Sequence, residues 1–466
     1  MKTKILQSII CAGLLYSNLN ATSLRDTVEQ AINTNPDIIA EHFNQKAFHT
    51  NIDEQQGDYY PTLDFSTYVE KSHTYNDKDT TGKDDAGKDG WNAALKFEQV
   101  IYDGGQTPNE VELYKHRYNS IKYTSNETVE NLILDVVNVY TNIVSYQELI
   151  ALDNLKIKIH NDYLKLAKEK EELSGEALDR ILVSSKIKSI MDNYLEQEVN
   201  QQKAFSQYKK LSGNKLNGNV CRPIINNKLI PTNLEEAIEI ALRKNNKIHA
   251  QKETIREQVS RLNIEDSKFR PSLKLQVEAN LDNDLKLPEN GQQDIYRVRL
   301  QSDWNLYNGG KDTLTAQRER ITILEQKKIL DSIKDEVIDE IKGSYNTFFK
   351  IKKRILNLKE FIIDNQNIVK IYTSQLQDGS RTFIDVLNAE AELFRTKVLL
   401  IELEFNLYNE YYNILKSLNV LSDSILSERK QVCNKYVFVE PKREEKAKEK
   451  TEAELENELS DELGLE

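Results

Sequence analysis

Two apolar periodicities share this chain. In four short stretches hydrophobic residues fall at every second position. Leu63, Phe65, Thr67 and Val69 alternate with Thr62, Asp64, Ser66 and Tyr68, and Trp91, Ala93, Leu95 and Phe97 alternate with Asn92, Ala94, Lys96 and Glu98. Further on, Leu273, Leu275, Val277 and Ala279 oppose Ser272, Lys274, Gln276 and Glu278, while Tyr296, Val298 and Leu300 oppose Arg297, Arg299 and Gln301. A period of two puts each set on its own face of a strand. One apolar and one wet face over about ten residues suits a membrane barrel with an aqueous lumen, or else a soluble sheet with one face on a core. The polar loops between these strands, 73–90 and 282–294, suit a solvent-facing end.

Elsewhere the period is 3.5. From Leu387 a 4-3-4-3 step lands on Ala391, Phe394, Val398, Ile401, Phe405, Tyr408, Tyr412 and Leu415, every one apolar or aromatic. From Val129 the same step meets Ile133, Val136, Tyr140, Ile143, Gln147, Ile150, Asn154 and Ile157, with two polar interruptions. Such a repeat predicts left-handed coiled-coil packing. Residues 107–173 contain no glycine. As one helix they would extend about 100 Å, against about 30 Å for a hydrocarbon core. Helices of that length project from a membrane rather than lie within it.

The organisation is a duplication. "SLRDTVEQAINTNP" (23–36) matches "NLEEAIEIALRKNN" (233–246), and "GDYYPTLDFSTYVE" (57–70) matches "SKFRPSLKLQVEAN" (267–280). "LSGEALDRILVSSK" (173–186) matches "LQDGSRTFIDVLNAEA" (376–391). Pro61 and Pro271 are offset by 210 residues, and Gly104-Gly105 and Gly309-Gly310 by 205. Each half reads helix, strand, polar loop, strand, long helix, break, helix. The expected layout is a signal peptide over 1–21 and a first repeat over 22–217 with a β-hairpin at 58–103. A linker at 218–232 leads to a second repeat over 233–421 with a hairpin at 268–308, and 422–466 forms a C-terminal extension. Each Gly-Gly pair marks a strand turning into a helix, where glycine supplies the positive φ of a sharp change of path. "NGGKDT" lacks the spacing of a phosphate-binding loop.

Composition sharpens the picture. The chain of 466 residues is poor in Gly (16) and Pro (8), which favours helix over loop, and its net charge of −12 argues against nucleic acid as a partner. Lys2 and Lys4 precede the short apolar run "ILQSIICAGLLY", followed by Ala21, a secretory signal pattern. Ile10 before Cys11 is too bulky for lipidation. No other stretch approaches 18 apolar residues, so a membrane crossing would use strands. Six histidines show no H-E-x-x-H or Cys/His metal spacing, and no G-x-S-x-G elbow occurs, so neither catalytic residues, a metal nor a cofactor are expected. The segment 442–466 holds 10 acidic and 5 basic residues and reads as a charged extension.

Four strands cannot close a barrel, and open strand edges are not tolerated in lipid. The repeated halves, the joints "VIYDGGQT" and "WNLYNGGKD", and "GSRTFIDVLNAEAELF" (379–394) resemble the TolC-like outer-membrane efflux and secretion family over roughly 23–421. The resemblance implies an α+β chain with four strands and long antiparallel helices. Three copies would share one 12-stranded outer-membrane barrel and a helical α-barrel through the periplasm. It implies a homotrimer in outer-membrane lipid, a periplasmic adaptor (membrane fusion) protein, and an inner-membrane ABC or proton-driven transporter. "WNLYNGG" and "TFIDVLNAEAELF" look more like channels of type I protein secretion than like drug-efflux channels. A soluble periplasmic coiled-coil adaptor or scaffold is the more distant alternative.

The family's gate lies where helix pairs turn. Arg381 and Asp385 fall on its gating arginine and first aperture aspartate. Asn388 stands where some members carry a second aspartate, so the implied acidic ring is weaker by three charges per trimer. Asp179 and Arg180 follow Gly175 in the first repeat at a different spacing. As an ordinary i,i+4 surface pair, Arg381 and Asp385 would contribute little. The resemblance also implies that Cys221, in the linker, and Cys433, past the last helix, lie near the middle of the helical region, where a disulfide can form in an oxidising compartment.

Overall fold

A computed structural model describes residues 22–76, 84–216, 220–285 and 291–427. The expected signal peptide, Cys433 and the acidic segment lie outside these residues. The elements are α1 (Leu24–Thr34), α2 (Pro36–Gln56), β1 (Thr62–Asn76), β2 (Asp84–Tyr102), α3 (Gln106–Ser174) and α4 (Leu178–Ser212). After the linker come α5 (Leu234–Lys244), α6 (Asn246–Ser267), β3 (Ser272–Asn283), β4 (Gln292–Asp303), α7 (Lys311–Gln377), α8 (Phe383–Ser417) and a short α9 (Leu421–Leu426).

Each repeat opens with two helices where the sequence pattern reads one. The break is local chemistry. Asn35 leaves helical geometry and its side chain accepts the Asp37 N–H at 2.9 Å, as Asn245 does for Lys247 at 2.9 Å. Pro108 falls in the first turn of α3, where its missing N–H costs no helical bond. The short α9 carries helix into the extension expected from residue 422 and packs on α1 and α8. No described helix is long and apolar enough to cross a membrane.

The chain divides into two compact units: Met1–Ile39 with Thr128–Lys244 and Val337–Glu466, and Ala40–Glu127 with Asn245–Glu336. The second holds the sheet, antiparallel in the order β1-β2-β3-β4. Its register aligns Leu63, Phe97, Val277 and Val298 in one row, and Phe65, Leu95, Ala279 and Tyr296 in the next. The other face carries the row Asp64, Lys96, Glu278, Arg297. Ion pairs join neighbours there, Arg297 to Glu278 at 3.6 Å and Lys274 to Glu98 at 3.5 Å. The apolar face covers no core, since Phe65 is 69% exposed and Val298 77%. An open greasy sheet face of this kind needs an apolar partner, so the reading as a soluble half-buried sheet fails.

Hydrogen bonds order four helical segments of the same unit into a row. Ser125 on α3 donates to Glu41 on α2 (2.8 Å), and His116 on α3 meets Glu253 on α6 (2.8 Å). Arg117 donates to Glu257 (2.7 Å), and Gln251 on α6 donates to Gln326 on α7 (2.9 Å). The row is therefore α2–α3–α6–α7. At the first strand-to-helix joint Gly104 has φ +75° and Gly105 φ +95°. The Asp103 carboxylate accepts the Gly105 and Thr107 N–H groups at 2.9 and 2.6 Å and starts α3.

In the other unit α8 is the central element. Leu387, Phe394, Ile401, Phe405, Tyr412 and Leu415 are buried, as the 3.5-residue step predicts. A second buried stripe, Leu393, Leu400 and Leu403, packs on Ile351, Ile355 and Ile362 of α7. Near the turns, Tyr163 and Ala167 of α3, Val183 of α4 and Phe383, Val386 and Leu387 of α8 form one cluster.

Candidate functional site: hairpin turns, buried polar set and linker

Both helical hairpins turn through glycine. Gly175 (φ +76°) donates to the Glu171 carbonyl at 2.8 Å, and Gly379 (φ +74°) to that of Leu376 at 3.1 Å. At the second turn the Arg381 guanidinium stacks over the Tyr372 ring, 4.4 Å from its centroid, and its Nε donates to Gln375 Oε1 at 2.9 Å. Asp385 forms a capping box with Thr382, accepting from its hydroxyl (2.7 Å) and its N–H (3.2 Å). The Thr382 hydroxyl and N–H hold the Asp385 carboxyl below its ordinary range against the opposing effect of burial, with a smaller contribution from the Arg381 charge. Asn388 is exposed. At the first turn Lys170 Nζ reaches Asp179 at 2.6 Å and Arg180 Nε reaches Glu171 at 2.6 Å. Each expected pair is thus bonded within its own hairpin. Lys170 also lies over the Phe383 ring (5.7 Å), which brings α3 and α8 together beside these turns.

Deeper between α3 and α8 lies a buried polar set that the apolar step does not reveal. Tyr163 Oη donates to Glu390 Oε1 at 3.1 Å, and His160 Nδ1 lies 3.0 Å from the Lys156 carbonyl. Lys156 and Lys397 flank the Phe394 ring at 5.2 and 5.4 Å. Burial pushes the Asp153 carboxyl up to about 6, with the Lys156 charge opposing it. It pushes Lys156 and His160 down, and Tyr163 up to about 12. The only sequence signal was the run of polar residues on α3 just beyond its clean apolar stripe.

The linker is stitched to the helices by tyrosines and one arginine. The Cys221 N–H donates to Tyr140 Oη (3.0 Å), whose hydroxyl donates to the Thr22 carbonyl (2.9 Å). Tyr345 Oη contacts the Pro231 and Thr232 carbonyls at 3.2 and 3.0 Å. Arg222 forks onto Glu148, Nε to Oε1 and Nη2 to Oε2, both at 2.5 Å, and reaches Glu404 with Nη1 at 2.6 Å. Cys221 is disulfide-bonded; Cys433, its expected partner, lies outside the described residues.

Comparison with known proteins agrees with this architecture. The model of the family described as "Outer membrane efflux protein" matches residues 27–172 and 237–420, one segment in each repeat. The outer membrane protein TolC of Escherichia coli (strain K12) is 22% identical over 146 residues, a stretch that spans 31% of this chain and 30% of TolC. Among solved structures, the CmeC outer membrane channel of Campylobacter jejuni is similar with a TM-score of 0.75 at 15% identity, covering 90% of this chain and 94% of that one. The CusC structure gives 0.75 at 14% identity, over 85% and 91%. A duplicated strand–glycine–helix chain with an exposed apolar sheet face, matched by the family model in both halves, belongs to the outer membrane efflux protein family, whose members are outer-membrane ducts and not enzymes.

Proposed function

We propose that three copies assemble into an outer-membrane export duct that passes substrate from an inner-membrane transporter, through a periplasmic adaptor, to the outside. The observation that carries this reading is the sheet. Its apolar face is bare, its edge strands β1 and β4 have no strand neighbour among the described residues, and each hairpin leads through glycines into a helix of 69 or 67 residues. Lipid does not accept unpaired strand edges, and other copies can pair them. The cargo reading is type I protein secretion, on the strength of the "WNLYNGG" and "TFIDVLNAEAELF" motifs. Small-molecule efflux is favoured instead by the name of the family and remains the second reading. Deleting the gene tests both. Loss of one or more secreted proteins from the medium, with unchanged drug susceptibility, supports secretion. Unchanged secreted protein with raised susceptibility would replace it with efflux.

The gate is part of the proposal, with Arg381 and Asp385 at its centre, Asp179 and Arg180 on the neighbouring hairpin, and Asn388 one turn on. Arg381 holds the second turn through a ring stack and a hydrogen bond, together about 1.5–2 kcal/mol. Arg381→Ala is expected to raise the single-channel conductance of the reconstituted channel. Asp385→Ala is expected to weaken block by multivalent cations, which an acidic ring in a narrow aperture attracts. Single-channel recording reads both. Parental conductance and block in both variants would return the pair to an ordinary surface contact.

A further inference from the structure

In the row α2–α3–α6–α7 the two inner helices are covered on both sides, whereas α2 and α7 each lack one neighbour among the described residues. The duplication says what belongs there. The 205- and 210-residue offsets map α3 onto α7 and α6 onto α2, so the inner α3–α6 seam has an outer counterpart between α7 and the α2 of another copy. The inner seam is ionic. Its His116–Glu253 pair is 2.8 Å long, and both side chains are largely buried. The counterparts of those two residues are Ile321 and Phe43. They are among the exposed large hydrophobic residues of this unit, 59% and 62% accessible.

The strand-to-helix joints show the same relation. At the inner joint the α6–β3 corner covers the glycines: a Cβ on Gly104 would sit 2.6 Å from the Ser267 carbonyl, and Arg270 Nη1 donates to the Gly104 carbonyl at 2.9 Å. At the outer joint nothing lies within 4 Å of a Cβ placed on Gly309 or Gly310, although both keep the positive φ of their counterparts. The position of Arg270 is taken by Tyr60, 72% exposed at the α2–β1 corner.

We propose that the α2–β1 edge of one copy docks on the α7–β4 edge of a second copy in a seam that repeats the in-chain α6–β3 on α3–β2 packing, but is apolar where that seam is ionic: Phe43 packs on Ile321, and Tyr60 closes over Gly309–Gly310, its hydroxyl donating where the Arg270 guanidinium does. This rests on the assembly reading above and adds which faces meet and by what chemistry. Exposed apolar residues at mapped positions on both open edges are what such a seam requires, since neither finds cover within its own chain.

Full-length Phe43→Cys/Ile321→Cys protein in outer membranes, treated with a short bis-methanethiosulfonate linker, is expected to give covalent dimers and trimers on a denaturing gel, with none from either single variant. Labelled thiols without covalent oligomers, in a variant that still runs as a native trimer, would overturn the seam and leave the assembly standing. A parent protein that is monomeric in the membrane would overturn both. Should the double cysteine variant fail to assemble, charge exchange decides. Phe43→Glu or Ile321→His alone is expected to lower trimer yield about tenfold, and the two together, which reproduce the Glu253–His116 pair, to restore most of it. Parental yield in both singles, or no rescue in the pair, would refute the seam.

Discussion

Replacing Arg222 by methionine is expected to destabilise the helical unit by about 3–5 kcal/mol, the range seen when one partner of a buried ion pair is removed. The size follows from what stays behind. The Glu148 side chain is fully buried, and Arg222 meets both its oxygens. Glu404 is 19% exposed and receives the third guanidinium bond. Burial alone would lower the Arg222 pKa, but the bonds and charges of Glu148 and Glu404 together outweigh it and raise it. Methionine fills similar volume beside Phe405, whose ring lies 5.3 Å from the guanidinium carbon, so the loss is chiefly that of the forked charge partner of a fully buried carboxylate. Arg222→Lys recovers little, because a point ammonium cannot fork onto one carboxylate and reach a second. Arg222→Met/Glu148→Gln removes the buried charge along with its forked partner and should recover more than half of the loss. Thermal midpoints in detergent at pH 7 decide: an Arg222→Met cost under about 1 kcal/mol would show that the Glu148 carboxylate is held without the guanidinium.

The faces of the strands were legible in the sequence because their period is strict and each repeat supplied a second copy. Their ends were not: β1 runs to Asn76 and β2 starts at Asp84 inside the stretch 73–90 read as a polar loop, and β3 and β4 enter 282–294, because ladder pairing continues where the apolar alternation has stopped. Val277 and Val298 fall in the row of Leu63 and Phe97, on the face their alternation predicts. The glycine joints were legible for the same reason. The α8 stripe was half legible. Leu387 to Leu415 stand out in a 3.5-residue step, but Leu393, Leu400 and Leu403 are buried as well, because α8 packs on α7 and on α3 and α4 at once, and a single-stripe pattern describes one partner only. The helix pairs α1–α2 and α5–α6 were read as single helices because Asn35 and Asn245 stop a helix by a side-chain bond that no periodicity records. Arg222 and Asp153 were missed altogether. An arginine in a linker and an aspartate on a long helix have the sequence appearance of solvated residues, and only tertiary packing buries them. The gate residues came from family resemblance and not from pattern. Arg381 and Asp385 are exposed or half-buried groups with local bonds, which is what an ordinary helix start also looks like.

Asp153→Asn is expected to stabilise the protein, and to do so only on the alkaline side. Asp153 is 9% exposed on α3, and burial lifts its carboxyl to about 6 in the folded chain, against about 3.9 when unfolded. The titratable groups that face it or its neighbours are Lys156 on its own helix, Lys186 on α4 and Glu390 on α8, with the His160 pKa pushed down by burial. A carboxyl whose folded pKa is raised binds its proton more tightly in the native state. Its favourable contribution is therefore present below the unfolded pKa and is lost as pH rises through about 6. Above that the buried carboxylate costs up to about 3 kcal/mol, at 1.36 kcal/mol per pKa unit, a sum that already includes the opposing Lys156 charge. Asparagine keeps the shape, carries no charge and cannot titrate. The variant should therefore melt higher than the parent at pH 8, by less at pH 6, and no higher near pH 4. Melting midpoints of the parent and variant across that range read the sign directly. A difference that stays constant with pH would show that the folded and unfolded pKa values of Asp153 coincide, with the Lys156 charge cancelling the effect of burial.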